Sequence, residues 1–279
     1  MDKKRREHKF LNKHPWIGSV LVGLLVYAGV TIVVGLINYP LSMLVKGYDA
    51  STGFIGVIIG AVVTTFAYKK WFEPEFKGFT YGSDIGAGIR IGIPYYIYWV
   101  ISVLVTILFT ESKFQLASLT AVQAAFSAGC LEEVIFRGGV LNTMLRGRKK
   151  QGDAIKALVI SSVIFGLVHL ANLSSGANAA RTVIQVFTAS GIGFVNGVIY
   201  LVSGNLLLVI ILHTIHDIIA LSFTGVTEAG VITAGVTWDI WLDLLLCVAL
   251  AVYAIVMLRR GDVYRKIENM WDQKWDVRK

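Results

Sequence analysis

The sequence predicts an all-α polytopic membrane bundle of about eight transmembrane helices. Three observations carry this: 55% of the 279 residues are hydrophobic, only 16% are charged, and the mean hydropathy is +0.66. That composition lies well outside the range of soluble domains. The apolar residues are grouped into runs at about 15–39, 51–72, 84–110, 115–145, 155–173, 180–203, 205–223 and 237–258. Runs of about 22 residues cross the ~30 Å hydrocarbon layer as helices, and eight of them leave only short loops and two tails. No separate soluble domain fits, and the short alternating strands of a membrane barrel are absent.

The first run follows Met1-Asp-Lys-Lys-Arg-Arg, which looks like the start of a signal peptide. The apolar stretch behind it is long and closes on no small-residue cleavage site, so it reads as an uncleaved anchor. The organisation is therefore a basic cytoplasmic tail over 1–14, one transmembrane domain over 15–258 with the chemistry-bearing helices inside 115–223, and a basic cytoplasmic tail over 259–279. Gly88 and Gly92 in the third run, and Gly193 and Gly197 in the sixth, have the spacing that lets helix backbones approach closely. Asp239 and Asp243, beside Trp238 and Trp241, read as the outer interface of the last run. Cys130 and Cys247 sit inside apolar runs without metal-ligand spacing and behave as small hydrophobes.

The net charge of +8 is a matter of orientation, not of nucleic-acid binding. With both termini cytoplasmic, 21 Lys and Arg fall inside and three, Lys46, Lys113 and Arg181, fall outside; Arg90 and Arg137 lie within runs. Such asymmetry is what fixes topology in a bilayer, and the basic tails also meet anionic lipid.

Three runs carry groups that a lipid-facing helix does not tolerate: Glu132, Glu133 and Arg137 in the fourth, His169 in the fifth, and His213, His216 and Asp217 in the seventh. Their depths agree. Glu132 precedes Arg146 by 14 residues and His169 follows Lys156 by 13, each about 20 Å along a helix; Asp217 follows Gly204 by 13, also about 20 Å. Glu133 and Arg137 are four apart with the acid first, the favoured order for an ion pair within one helix. That pairing supports the site and leaves Glu132, about 100° round the helix, for another partner. His213 and Asp217 are also one turn apart, with His216 beside them as a supporting group, whereas Asn196 reads as a packing polar.

A pocket lined this way has a carboxylate base and an imidazole to hold and activate water, Glu132 and His169, and a donor for a developing oxyanion, His213. The same Glu132, His169 and His213 are also a conceivable ligand set for a divalent metal such as zinc. No His-Glu-x-x-His helix favours that option, and no cofactor is expected. Cys130 adjoins the acids, but its apolar setting disfavours a thiolate.

Taken together, Glu132-Glu133-Val-Ile-Phe-Arg137, Phe165-Gly-Leu-Val-His169 and His213-Thr-Ile-His-Asp217 resemble, in order, the Glu-Glu-x-x-x-Arg, Phe-x-x-x-His and His-x-x-x-Asn/Asp patterns of the CPBP (Abi) family of intramembrane proteases, which includes the Rce-type CAAX prenyl endopeptidases. The resemblance covers residues 126–219 and implies an intramembrane endopeptidase of the glutamate type acting on a hydrophobic or membrane-associated peptide. It implies that Glu132 and His169 activate water, that His213 and Asp217 stabilise the oxyanion, and that Glu133 and Arg137 support them. One departure stands out: Asp217 occupies the place of an Asn in the Rce-type enzymes. An ionised Asp donates no hydrogen bond, so Asp217 either carries a proton or orients an imidazole. The rival readings are a non-enzymatic membrane partner such as a bacteriocin-immunity factor or scaffold, and a small proton-coupled transporter; no repeat with paired broken helices supports the last. A compact chain of this kind suits a prokaryotic plasma membrane.

Overall fold

A computed structural model describes residues 8–73, 76, 84–147, 152–223 and 238–275. Several of the basic residues that set the expected orientation, Lys3 to Arg6, Lys77, Arg148 to Lys150, Arg278 and Lys279, lie outside the described residues, as do the side chains of Trp238 and Asp239.

Every apolar run is helical. A single turn, α1 (Lys9–Lys13), leads into α2 (Pro15–Leu44), where Pro15 occupies the start of the helix, at a position whose N–H has no partner to lose. Then follow α3 (Phe54–Phe72), α4 (Ile85–Ile91) and α5 (Ile93–Phe109), the last two meeting at 46°. Pro94 explains the break: it has no N–H for the preceding turn, and its ring displaces the carbonyl four residues back. Next come α6 (Leu119–Glu133), continued by a π-helical stretch (Val134–Leu141) and α7 (Asn142–Arg146). Beyond them are α8 (Asp153–Val168) with a 3₁₀ extension (His169–Ser175), α9 (Ala179–Ser203), α10 (Leu206–Leu221), α11 (Trp238–Arg259) and α12 (Gly261–Lys274). Among the described residues the extended backbone amounts to two isolated bridges, Phe76 with Trp275 and Phe114 with Phe223.

Six helices are long and apolar enough to cross a membrane, and the bent α4–α5 pair makes a seventh; α10, at 16 residues, is shorter. The protein is thus an all-helical, multi-pass membrane protein. Large apolar side chains such as Leu25, Leu36, Phe66, Leu108 and Val256 cover its outside, as a lipid-facing surface requires. Inside, α9 is the most buried of the long helices and packs against α8, α10, α11 and α4, while α6 packs against α10 and α2 against α3 and the π-helical stretch. The turn between α9 and α10 depends on Gly204, whose φ of +61° ends α9, and on Asn205, whose side chain accepts from the Leu208 N–H to start α10. This short connection holds the two helices antiparallel and side by side.

The segment expected to be a basic tail over 259–279 is largely a helix. The reason is its apolar stripe: Tyr264, Ile267 and Trp271 repeat at three to four residues and are buried, while Arg265, Lys266 and Asn269 face out. The indole N–H of Trp271 donates to Leu201 O at 3.1 Å, and that of Trp275 donates to Asn142 O and Oδ1, both at 3.1 Å. Trp275 also packs on Phe72 and Phe76 with ring centroids 5.2 and 4.5 Å away. Lys266 Nζ reaches Asp84 Oδ2 at 2.6 Å; that bond, with the Ala87 N–H at the start of α4, holds the Asp84 carboxyl below its usual range. The helix α12 therefore straps together the ends of α7, α9 and α4.

Trp275→Phe, which removes the bond to Asn142 and keeps most of the packing, is expected to cost about 1 kcal/mol, and Trp275→Ala about 3–5 kcal/mol. Thermal unfolding of the protein in lipid, followed by tryptophan fluorescence and circular dichroism, reads the difference; equal effects of the two substitutions would show that the bond and not the ring holds the strap.

Candidate active site

The acidic pair ends α6 at the point where its hydrogen-bond spacing widens into the π-helical stretch, a distortion that recurs at functional sites because it re-aims side chains. Glu133 turns fully inward, with 0% exposure. Its Oε1 accepts from His213 Nδ1 at 2.9 Å and from Asn196 Nδ2 at 3.2 Å, and its Oε2 lies 3.1 Å from Arg137 Nε. Arg137, equally buried, donates from one terminal nitrogen to Gly193 O at 2.5 Å and sets its guanidinium 4.8 Å from the centre of the Phe165 ring. The other terminal nitrogen of Arg137 and the Asn196 Oδ1 have no hydrogen-bond partner among the described residues.

Glu132 is placed differently. Its side chain is 30% exposed, it accepts no hydrogen bond among the described residues, and its Oε2 stands 3.9 Å from His213 Nε2. Asp217 Oδ2 stands 3.6 Å from the same nitrogen and its side chain is 24% exposed. Both gaps are too long for a hydrogen bond and are of the kind that a water or a substrate oxygen bridges. His213 is thus fixed at one nitrogen by a buried carboxylate and presents the other to two less constrained ones.

His169 falls where α8 tightens into its 3₁₀ extension. Its Nδ1 pairs with Phe165 O at 3.1 Å, and its ring meets Phe165 edge-on at 5.4 Å. His213 lies against the same phenyl ring at 5.9 Å. The two imidazoles are therefore gathered round Phe165, and no hydrogen bond joins His169 to Glu132. His216 faces away toward α5, where Trp99 Nε1 donates to its Nδ1 at 3.1 Å and Tyr95 and Tyr98 flank the ring.

Among the described residues no three His, Cys, Asp or Glu side chains are grouped to hold an ion. Cys130 and Cys247 are buried free thiols. Four residues of the surroundings are not evident in the sequence. Asn196, read there as a packing polar, donates to the central carboxylate. Tyr98 and Asp243 are joined by a 2.7 Å bond, so the Asp243 side chain faces α5. Trp99 shares a span with neither histidine nor acid. The only sequence signal for Asn196 is a lone amide in an apolar run, and for Asp243 an acid paired with Asp239 near the start of the last run.

The decisive comparison concerns this region. Residues 95–219 match the family described as type II CAAX prenyl endopeptidase, Rce1-like. Over this segment the chain is similar to the Rce type. The match runs from Tyr95 in α5 through α10, a little under half of the chain, and takes in every residue of the acidic and imidazole cluster; it agrees with the CPBP resemblance of the three motifs. No curated protein and no solved structure matches the chain. The Rce1-like match supports a CAAX-type intramembrane protease in general terms.

The two adjacent glutamates should separate experimentally. Glu133→Ala leaves the Arg137 guanidinium buried without its counter-charge and is expected to destabilise by about 3–5 kcal/mol. Glu132→Gln, which breaks no hydrogen bond, should change stability by less than about 1 kcal/mol. Unfolding midpoints measured side by side in the same lipid check the contrast, and a Glu132→Gln loss as large as that of Glu133→Ala would contradict the assignment.

Proposed function

We propose that the protein is an intramembrane endopeptidase of the glutamate type, and that Glu132 is its general base. The observation that carries this reading is the inequality of the acidic pair: Glu133 has its oxygens committed to His213, Asn196 and Arg137, whereas Glu132 is half-buried and unbonded beside His213 Nε2. A base needs a lone pair facing the space where water sits, and of the two acids Glu132 is the one whose carboxylate is exposed, while that of Glu133 is fully buried against Arg137.

In the proposed reaction, water between Glu132 and His169 loses a proton to the Glu132 carboxylate as its oxygen bonds to the scissile carbonyl carbon. His213, as the imidazolium, donates from Nδ1 to Glu133 and from Nε2 to the carbonyl oxygen as that oxygen becomes anionic. Glu133 fixes the ring and balances its charge. The proton held by Glu132 then passes to the departing amine as the C–N bond breaks, so the carboxylate is restored. Asp217, on the substrate side of His213 Nε2, offsets the imidazolium charge. The orienting role is already filled by Glu133 at 2.9 Å, against 3.6 Å for Asp217.

The substrate class that fits is an apolar or membrane-associated peptide, since the reacting groups lie on helices enclosed by lipid-facing side chains. The excess of basic residues assigned to one side supports cytoplasmic termini and eight spans, and the compact chain suits a prokaryotic plasma membrane.

Purified protein in lipid should cleave members of a quenched apolar peptide library. Glu132→Gln should lower kcat by about 10²–10⁴-fold with folding intact, and a chelator should leave the rate unchanged. Cleavage that survives Glu132→Gln, or that a chelator abolishes, overturns the mechanism. Asp217→Asn supplies an N–H where the carboxylate has none and should retain cleavage, whereas Asp217→Leu should lower it by about tenfold or more; the two rates measured on one peptide check this.

A further inference from the structure

Outside the cluster round Glu133, the helix α5 builds a second polar arrangement on α10 that the mechanism above does not use. Trp99 Nε1 donates to His216 Nδ1 at 3.1 Å. Tyr98 stacks on the His216 ring at 6.2 Å and 22°, and Tyr95 meets it tilted at 5.8 Å and 31°. Tyr95 also packs on Trp99 at 4.8 Å. Tyr98 is in turn fixed by its hydroxyl, which donates to Asp243 Oδ1 on α11 at 2.7 Å, with Ser102 Oγ at 3.5 Å from the same oxygen. His216 is thus held on one edge by an indole and on its flanks by two phenols, one of them bound to a neighbouring helix.

The chemistry of the indole makes this contact one-directional. Trp has a donor and no acceptor, so the nitrogen it addresses must present a lone pair. While the bond is intact, His216 Nδ1 carries no hydrogen, and the ring is the neutral tautomer with its hydrogen on Nε2. Neither the other tautomer nor the imidazolium fits opposite Trp99. This matters because His216 lies about one turn after His213 and directly before Asp217, turned toward α5 while those two face the acidic cluster, so the rotation that seats His216 against Trp99 also sets where His213 and Asp217 point. Two imidazolium rings one turn apart would repel each other, whereas a neutral His216 leaves His213 as the imidazole on α10 that takes up charge.

We infer that Trp99 is a positioning residue for the reaction: it locks His216 in one neutral tautomer and, through it, sets the rotation of α10 that presents His213 Nε2 between Glu132 and Asp217. This inference rests on the protease reading for its catalytic consequence, but its structural half is measurable without any substrate.

The test uses the full chain in lipid with ¹⁵N-labelled histidine, together with peptide cleavage. Trp99→Phe keeps an aromatic ring and removes the donor. It should shift the His216 Nδ1 resonance away from the bare-nitrogen position and lower kcat by about tenfold with KM unchanged, roughly one neutral hydrogen bond expressed as a rate. His216→Asn, whose side-chain oxygen replaces the Nδ1 lone pair, should retain most of the rate, and His216→Leu should not. In the His216→Leu background Trp99→Phe should have no further effect on kcat. Wild-type ¹⁵N signals and kcat in Trp99→Phe, or an equal slowing by Trp99→Phe in both backgrounds, would overturn the inference. If the wild-type chain cleaves no peptide, the protease reading falls, and the His216 resonance then decides separately whether Trp99 sets the ring.

Discussion

A carboxylate with no exposure to solvent, in the middle of an apolar helix bundle, is the constraint around which the rest of this structure is arranged. Moving such a group out of water costs several kcal/mol even after relaxation, and the cost is recovered only by a counter-charge and a full set of hydrogen bonds. Glu133 draws on three helices: a counter-charge from Arg137 on its own, and hydrogen bonds to Oε1 from Asn196 on α9 and His213 on α10. Each partner is tied down in turn. Arg137 is held by the Gly193 carbonyl and the face of Phe165, so α8 is drawn in as well. Four helices are thereby registered to one another at the depth where the chemistry is proposed, and a slip of one residue in any of them would leave a charge buried alone.

The arrangement also divides labour between neighbouring acids that the sequence presents as equals. Because adjacent helix positions point about 100° apart, a helix that buries Glu133 against Arg137 must direct Glu132 to a different side. The onset of the π-helical stretch directly after the pair widens the helix there and accommodates a large buried guanidinium one turn later. Glu132 keeps its lone pairs because Glu133 takes the available donors. On this view the second acid contributes to catalysis by fixing His213 and by leaving the first acid free.

How much of this was legible beforehand follows from the range of each interaction. The helical runs were readable because hydrocarbon imposes a local rule, continuous apolarity over a membrane thickness, that each segment satisfies alone. The Glu133–Arg137 contact was readable for the same reason: both residues sit one turn apart on one helix. Comparable depth could be counted for Glu132, His169 and Asp217, but depth says nothing about rotation, and rotation decides that His169 pairs with the Phe165 carbonyl while Asp217 faces His213 Nε2. The bonds from Asn196 to Glu133, from Trp99 to His216 and from Tyr98 to Asp243 span 63, 117 and 145 residues. No local pattern marks such partners. The amphipathic α12 was hidden differently: its charged residues dominate the composition of the tail, and its apolar stripe becomes meaningful only when there is a surface for Trp271 and Trp275 to cover.

The helix α9 shows that close packing and site construction are here the same property. Its small residues read as a packing face, and Gly193 does let α8 and the π-helical stretch come close: a Cβ at that position would lie 2.7 Å from Phe165 Cδ1 and 3.2 Å from an Arg137 nitrogen. Yet that closeness is also what brings the Gly193 carbonyl within reach of the guanidinium. Any side chain at 193 would push Arg137 away from the carbonyl and Phe165 away from the ring edges of His169 and His213 at once. A helix without an acid or an imidazole of its own therefore sets the spacing of all the groups that have them, through the absence of a methyl group at one position and the amide of Asn196 three residues on.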